Sequence, residues 1–156
     1  MSESACNDMT VSVEAIKASP LGEELSDAQC ETLAGVMTAC AIRDQAFLIE
    51  EGEKDDTLHI LTNGNMEVVS HTGGGDYVGL QVLRAGDMLG ELGFLDGVEH
   101  SAGLRAMGNC ELIRLDRASF EGLLDKDPDL VYKVMRSIVR TVHRILRNMN
   151  FQQVEL

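Results

Sequence analysis

The sequence has no cysteine pair at the spacing of a metal or redox site, and it has no long apolar run. Its four cysteines are scattered, so we expect free thiols, with a regulatory disulfide as the alternative. No stretch is apolar for long enough to cross a bilayer, and residues 1–10 lack the basic and apolar segments of a secretion signal. These absences predict a cytoplasmic protein without a membrane partner, with a flexible N-terminus at residues 1–10 and a tail at residues 151–156.

Positive charge is also scarce. The chain has 13 Lys and Arg against 26 Asp and Glu, a net charge of -13. A nucleic-acid interface needs basic side chains to neutralise phosphates, so direct DNA binding is not expected. The charge is uneven, because residues 129–156 hold five basic and two acidic residues, a net +3, which leaves -16 for residues 1–128.

Those five basic residues recur at helical spacing, and we call them the basic stripe. Such a stripe is typical of a solvated helix face. The alternative is that it docks on the acidic body of a partner protein or of the chain itself. The basic stripe consists of Lys133, Arg136, Arg140, Arg144 and Arg147.

Catalytic and metal-binding patterns are missing as well. The four histidines show neither a His-x-His nor a His-Glu-x-x-His spacing, and no Ser-His-Asp arrangement is indicated. We therefore predict no metal site, no catalytic residues and no enzyme activity.

The order of the elements predicts a mainly β fold with flanking helices. A short helix ends before Pro20, and a second helix begins after Ser26, which forms a capping box with Gln29. From about residue 37 to 116, short runs rich in Val, Ile, Leu and Thr alternate with turn residues. This is the pattern of a jelly roll, or double-stranded β-helix, with N-terminal helices before it.

Turn chemistry divides this region into short candidate strands. Asn63-Gly64 is predicted to form a hairpin turn because both residues tolerate positive φ angles, and Gly108-Asn109 is predicted to form another turn. The candidate strands are 46–49, 57–61, 66–70, 77–83 and 112–115.

A long C-terminal helix is predicted from about residue 128 to 150, in one domain of residues 11–150 that no second domain follows. Pro128 suits its first turn, and apolar residues recur along it at spacings of 3 and 4 over nearly three heptads. We predict a homodimer through this dimer seam, and packing against the chain's own roll is the alternative. The dimer seam consists of Val131, Met135, Ile138, Val142, Ile145 and Met149.

One segment of the β region, residues 86–97, departs from the strand pattern. Gly90 followed by a short helical turn presents unpaired amides to an anion, and Glu91 beside them can accept hydrogen bonds from sugar hydroxyls. Ser101 and Ala102 follow, where a strand begins again. These residues predict a pocket for a compact ligand that has a hydroxyl face and an acidic face.

The segments Gly-Glu-Leu-Gly-Phe-Leu (90–95) and Ser-Ala-Gly-Leu-Arg-Ala (101–106) resemble the phosphate-binding cassette of cyclic-nucleotide-binding domains. This family includes bacterial catabolite activator proteins and the regulatory subunits of protein kinase A, and the resemblance covers roughly residues 20–150. It implies the jelly-roll fold, dimerisation through the last helix and a cyclic AMP or cyclic GMP ligand. The helix-turn-helix of the DNA-binding members is not expected here.

The resemblance also implies a role for each ligand-binding residue. Glu91 would bind the ribose 2′-hydroxyl, and Ser101 would offer a hydroxyl to the phosphate or base. The cyclic phosphate would be held by backbone amides. The full predicted ligand set is Gly90, Glu91, Leu92, His100, Ser101 and Ala102.

Two positions differ from the family pattern. His100 stands where the family has an arginine that grips the phosphate, and an imidazole cannot copy a bidentate guanidinium. Ile145 and Leu146 fall where the activator proteins make polar contacts to adenine. His100 is therefore either a pH-dependent phosphate ligand or the filling of a pocket that has lost its nucleotide.

Three functions remain open from the sequence. The first is a sensor that binds a cyclic nucleotide or related anion, weakly or atypically, and signals to a partner protein. The second is a degenerate, ligand-free module for dimerisation or protein docking. The third is a cupin-like metal enzyme, because jelly rolls include cupins.

Overall fold

Seven antiparallel strands form one sheet. Helices from the N-terminal and the C-terminal parts of the chain cover it. The computed structural model describes residues 9–150, and side chains as far as residue 148. The predicted mainly β jelly roll with N-terminal helices and a long C-terminal helix is confirmed. The elements are β1 (Met9–Thr10), α1 (Val13–Ala18), a 3-10 turn (Pro20–Gly22), α2 (Asp27–Ala34), β2 (Thr38–Ile42), β3 (Phe47–Ile49), β4 (Thr57–His71), β5 (Tyr77–Arg84), β6 (Met88–Leu89), α3 (Glu91–Asp96), β7 (Gly103–Asp116), α4 (Arg117–Glu121) and α5 (Pro128–Asn150).

Helix starts follow the local sequence. Ser26 accepts a hydrogen bond from the Gln29 amide at 3.2 Å, and the Gln29 side chain accepts one from the Ser26 amide at 3.1 Å, which completes the predicted capping box. At α5, an Asp127 carboxylate oxygen accepts from the Leu130 amide at 3.0 Å, and Pro128 occupies the first turn. Both helices therefore begin where capping chemistry places them.

The long strands β4 and β7 are the centre of the sheet, which has the order β1-β2-β7-β4-β5. β3 adds to β7, and β6 adds to β4. The predicted turns at Asn63-Gly64 and Gly108-Asn109 are wrong, because both dipeptides lie inside these strands. The ladder between β4 and β7 shifts register near Asn63, so the extra residue forms a bulge instead of a turn.

Gly64 is needed at this bulge for two reasons. Its φ is +95°, and a Cβ there would lie 2.6 Å from the Asn109 carbonyl oxygen on β7. The glycine that predicted a hairpin instead allows two long strands to approach closely.

Two apolar clusters hold the fold together. The cluster inside the roll includes Ile49, Leu61, Met66, Leu104 and Leu112. The cluster between the roll and the helices includes Ile16, Leu33, Phe94, Phe120, Leu130, Val134 and Ile138. α5 is therefore anchored to the body by its own apolar face.

The dimer seam must be corrected in part. Val131 and Ile138 are buried in the chain's own core, and Met135 and Val142 pack against that core, as the alternative reading had it. The side chain of Met149 lies outside the described residues. The apolar face that α5 leaves uncovered is shifted by one residue, to Tyr132, Val139 and Leu146, which are 60%, 59% and 50% exposed.

Most of the basic stripe pairs with the chain's own acidic residues. Arg140 contacts both Glu23 and Glu24 at 3.2 Å, and Arg136 lies 3.5 Å from Glu24. Lys133 lies 2.9 Å from Asp129 on the same helix. The stripe therefore ties α5 to the turn before α2, in line with docking on the chain's own body.

The cysteines are not all alike. Cys30 and Cys110 are buried free thiols, as expected. Cys40 is disulfide-bonded, so the expectation of a free thiol is wrong at that position.

Candidate functional site

A cleft of about 240 Å³ lies between the Gly90 turn, the segment before β7 and the outer part of α5. Its floor is made by side chains of β4, β5, β6 and β7. The residues that line it are Val68, Gln81, Leu83, Met88, Leu89, Gly90, Glu91, His100, Ser101, Ala102, Leu104 and Ile145.

The near wall is the turn from β6 into α3. Just before β6, the Gly86 amide donates to the Leu61 carbonyl at 2.7 Å, and the Leu61 amide donates to the Asp87 carbonyl at 3.0 Å, so the chain that leads into β6 is held against β4. Gly90 has a φ of +74°, and a Cβ there would lie 3.0 Å from the Thr57 carbonyl oxygen. A residue with a side chain would be strained in this conformation, so glycine is needed here for the α3 amides to reach the cleft.

The far wall is the segment that carries His100 into β7. The His100 amide donates to the Glu53 carbonyl, and the Gly52 amide donates to the His100 carbonyl, both at 2.8 Å. This pair of backbone bonds fixes where the imidazole leaves the chain. A Cβ at Gly93 would lie 3.4 Å from Nε2 of His100, so the ring lies against α3.

The structure brings five of the six predicted ligand residues into this one cleft: Gly90, Glu91, His100, Ser101 and Ala102. Leu92 is not among the lining residues, and its side chain is 59% exposed. Ile145 from α5, which the sequence placed both in the dimer seam and near the position of adenine contacts, lines the cleft. The cleft and the last helix are therefore in direct contact.

Sequence reasoning missed the floor of the cleft and the polar groups beneath it. Gln81 lies on β5 opposite Val68, inside a run that indicated only a strand. His59 lies on β4 beneath Gly90, and a single histidine in an apolar strand carries no pattern. Only the three-dimensional fold brings these residues to the site.

His59 is buried and paired with a carboxylate. Its Nε2 lies 3.0 Å from Oδ2 of Asp55. Burial lowers the pKa of His59 below 6.5, and the Asp55 carboxylate opposes this only in part. Burial on its own would raise the pKa of Asp55, but hydrogen bonds from His59 and Thr57 hold it below 3.8.

The described residues offer neither a metal site nor a membrane-spanning helix. Between residues 9 and 150, no group of three or more His, Cys, Asp or Glu side chains could hold a metal ion. Within the same part of the chain, no helix has both the length and the apolar character to cross a membrane.

The sequence comparisons point in the same direction as the cleft. The family model of the cyclic nucleotide-binding domain matches residues 40–127. The cAMP-activated global transcriptional regulator CRP of Salmonella typhimurium is 32% identical over 113 residues, which cover 70% of this chain and 54% of that protein. The chain thus spans about half the length of the curated relatives it matches.

Solved structures agree on the fold. A cyclic nucleotide-binding domain from Methylobacillus flagellatus superposes with a TM-score of 0.82 at 21% identity, covering 90% of this chain and 82% of that one. The catabolite activator protein of Thermus thermophilus gives a TM-score of 0.72 at 22% identity, covering 86% and 61%. Because the family model spans more than half of the sequence, the chain belongs to the cyclic nucleotide-binding domain family.

Proposed function

We propose that the chain is a sensor module that binds a cyclic nucleotide, or a related anion, in the cleft between Gly90 and His100. The observation that carries this proposal is the meeting of five predicted ligand residues in one cleft of about 240 Å³. The matched family is a ligand-binding domain, and the absence of enzyme activity stays a prediction.

Each lining residue has a chemical role in this proposal. Glu91 accepts hydrogen bonds from the ribose 2′-hydroxyl, and the amides around Gly90, Leu92 and Ala102 donate to the cyclic phosphate. Ser101 adds a hydroxyl at the phosphate or base. The apolar floor of the cleft packs against the flat face of the base.

His100 makes the binding atypical. A hydrogen bond to a charged group contributes about 1.5–3 kcal/mol, so replacing an arginine by an imidazole weakens binding roughly ten- to a hundredfold. A bound phosphate favours the protonated imidazole, because opposite charges attract. Ligand affinity is therefore expected to rise as the pH falls.

The signal leaves the cleft through α5. Ile145 lines the cleft, while Tyr132, Val139 and Leu146 form the uncovered apolar face of the same helix. A homodimer would bury this face. A ligand that fits one position of α5 better than another would shift the equilibrium between these two positions of the helix. A partner protein would then recognise the shifted arrangement.

Calorimetry with cyclic AMP and cyclic GMP at pH 6 and pH 8 tests the ligand. We expect binding that is tighter at pH 6, and we expect His100→Arg to tighten binding at pH 8 by roughly ten- to a hundredfold. Glu91→Gln should weaken binding, whereas the matched change Glu99→Gln, outside the cleft lining, should not. Absence of heat for both wild type and His100→Arg would refute the nucleotide proposal.

A ligand-free dimerisation or docking module is the second candidate. The observation that favours it is the apolar face of α5, which is present whether or not the cleft is occupied. In that case the chain would dimerise or hold a partner without ligand, and His100→Arg would gain no binding.

A further inference from the structure

The cleft has two chemically different parts. Among the described residues that line it, the polar groups lie between residues 90 and 102 with one exception, and the other lining side chains are apolar. The exception is Gln81 on β5, a strand that the cassette motif does not include. Gln81 is therefore the polar side chain left for the part of a ligand beyond its phosphate and ribose. The apolar lining residues are Val68, Leu83, Met88, Leu89, Leu104 and Ile145.

Sheet register fixes the face on which Gln81 lies. Gln81 stands opposite Val68 on β4, and Val68 stands opposite Leu104 on β7, so one row of side chains crosses three strands. All three residues of this row line the cleft. Leu80 and Val82, next to Gln81 along β5, are 60% and 38% exposed and do not line it. The alternation of the strand thus directs the Gln81 carboxamide to the cleft and its two neighbours to solvent.

The carboxamide of Gln81 is not engaged by the protein itself. Gln29, by contrast, accepts a hydrogen bond from the Ser26 amide and donates one to Asp129 at 2.8 Å. Within the described residues, the side-chain amide of Gln81 has no such partner, and the residue is exposed. Water satisfies this amide in the ligand-free chain, so a ligand in the cleft can replace that water with its own polar atoms.

The last helix does not compete with Gln81 for the base. Ile145 is the α5 residue that lines the cleft, and Leu146 after it is 50% exposed. These are the two positions at which the sequence led us to expect adenine contacts. An aliphatic side chain packs against a base but discriminates weakly between ligands that differ in polar groups. The polar contact that this chain offers to a base therefore lies on β5 instead of α5.

We propose that Gln81 is the residue that selects the base, and that it favours adenine over guanine. This inference rests on the proposed function and names its ligand class. A carboxamide holds one donor and one acceptor in a plane, which match N7 and the exocyclic amino group of adenine. The same edge of guanine has two acceptors, so only the donor of Gln81 finds a partner there. One neutral hydrogen bond changes affinity roughly two- to tenfold, and cyclic AMP should exceed cyclic GMP by that factor.

Calorimetry with cyclic AMP and cyclic GMP tests the selection. Gln81→Met keeps the length of the side chain without its polar atoms, and it should remove the preference for cyclic AMP. Gln81→Arg offers donors to both acceptors of guanine and should reverse the preference. The control is Val82→Ala on the exposed face of β5, which should leave both affinities unchanged. If Gln81→Met weakened both nucleotides by the same factor, Gln81 would have only a packing role and the inference would be overturned.

A change in the ligand shows whether the contact is direct. The analogue 7-deaza cyclic AMP lacks the N7 acceptor, so it should bind wild type roughly two- to tenfold more weakly than cyclic AMP. In Gln81→Met the two ligands should bind equally, because the group that recognises N7 is gone. If the analogue lost the same factor in both proteins, N7 would be recognised elsewhere and the inference would fail.

Failure of the inference can be told apart from failure of the proposed function. If both nucleotides bind in a ratio that Gln81→Met does not change, base selection by Gln81 is refuted and the sensor proposal stands. If neither nucleotide binds to wild type or to His100→Arg, both are refuted. Proton–nitrogen NMR decides at weak affinity: the Gln81 side-chain amide signal, assigned by its absence in Gln81→Met, should shift with cyclic AMP. A signal that stays in place while other cleft signals move would refute the contact.

Discussion

Two regions of the molecule depart in opposite directions from the usual distribution of polar and apolar groups. On the outer face of α5, Tyr132, Val139 and Leu146 leave large apolar side chains in contact with solvent. Beneath the Gly90 turn, His59 and His100 leave ring nitrogens buried without a hydrogen-bond partner. Each departure costs free energy in the isolated chain, the first by exposing apolar surface and the second by removing polar atoms from water.

The difference indicates what each region requires. An uncovered apolar strip is satisfied by another apolar surface, such as the same strip of a second copy. A buried ring nitrogen is satisfied by a hydrogen-bond partner that reaches it. Ile145 lies between the two regions, because it belongs to α5 and lines the cleft.

The largest loss of stability is expected from a substitution on the inner face of α5. A substitution on the outer face is compared with it. Ile138 is fully buried, so Ile138→Ala should lower the free energy of unfolding by about 2–5 kcal/mol at any protein concentration. The neighbouring Val139→Ala removes exposed surface and should cost no more than about 0.5 kcal/mol in dilute protein. Urea titration measures both, and equal losses in dilute protein would contradict the assignment of the two faces.

A charge on the outer face should disrupt assembly without unfolding the chain. In the proposed homodimer, Val139→Glu would place a carboxylate in the apolar strip of both copies and should weaken association roughly ten- to a hundredfold. Asn148→Glu introduces the same group at an exposed position outside the strip and serves as the control. Sedimentation velocity over a range of concentrations measures the dimer, and a wild-type chain that stays monomeric throughout would remove the need for a partner copy.

Local sequence predicted where helices begin better than it predicted which strands pair or which face of a helix is buried. Ser26 with Gln29, and Pro128 after Asp127, start helices because capping is decided within a few residues. Asn63-Gly64 has the chemistry of a hairpin, yet the long ladder between β4 and β7 overrides it and turns the pair into a bulge.

The seam shows a second limit of the sequence. Apolar residues also lie one position after three of the seam residues, at Tyr132, Val139 and Leu146, although Arg136 and His143 interrupt a second heptad there. The roll buries the set that contains Ile138 and leaves exposed the set that contains Val139. Packing against the body, which the helix pattern does not contain, decides between them.

In the candidate site too, some residues could be predicted from the sequence and others could not. Gly90, Glu91 and His100 could be predicted because they lie in a contiguous motif that resembles a family cassette. Asp55 and His59 could not, because a spacing of four residues indicates a pair on a helix, whereas here Asp55 reaches His59 from the loop before β4. Their pairing depends on a bend of the chain that no local pattern encodes.

Acidification should act on the buried region specifically. The pKa of His59 is lowered by burial, so the unfolded chain binds a proton that the folded chain refuses, and stability falls as the pH drops below 6.5. Asp55 has a pKa below 3.8, so its stabilising effect is present above that value and is lost only in stronger acid. The loss from His59 should reach about 1.4 kcal/mol per pH unit at most. Urea titrations at pH 7 and pH 5 should show a smaller difference for His59→Gln than for wild type, while the exposed control His143→Gln should match wild type.

The smallest effect is expected where charges are both exposed and paired. Arg140 bridges Glu23 and Glu24 at 3.2 Å on the surface, and exposed ion pairs contribute about 0–1 kcal/mol. Arg140→Ala should therefore lower the free energy of unfolding by no more than about 1 kcal/mol, with a smaller loss at high salt because the pair is screened. Arg144→Ala, on the same helix, is the control. A loss at Arg140 as large as that at Ile138, unchanged by salt, would contradict this expectation. It would show that the basic stripe holds α5 in position more strongly than the core does. The ion pairs of α5 would then matter to the structure beside its apolar strip and the imidazoles of the cleft.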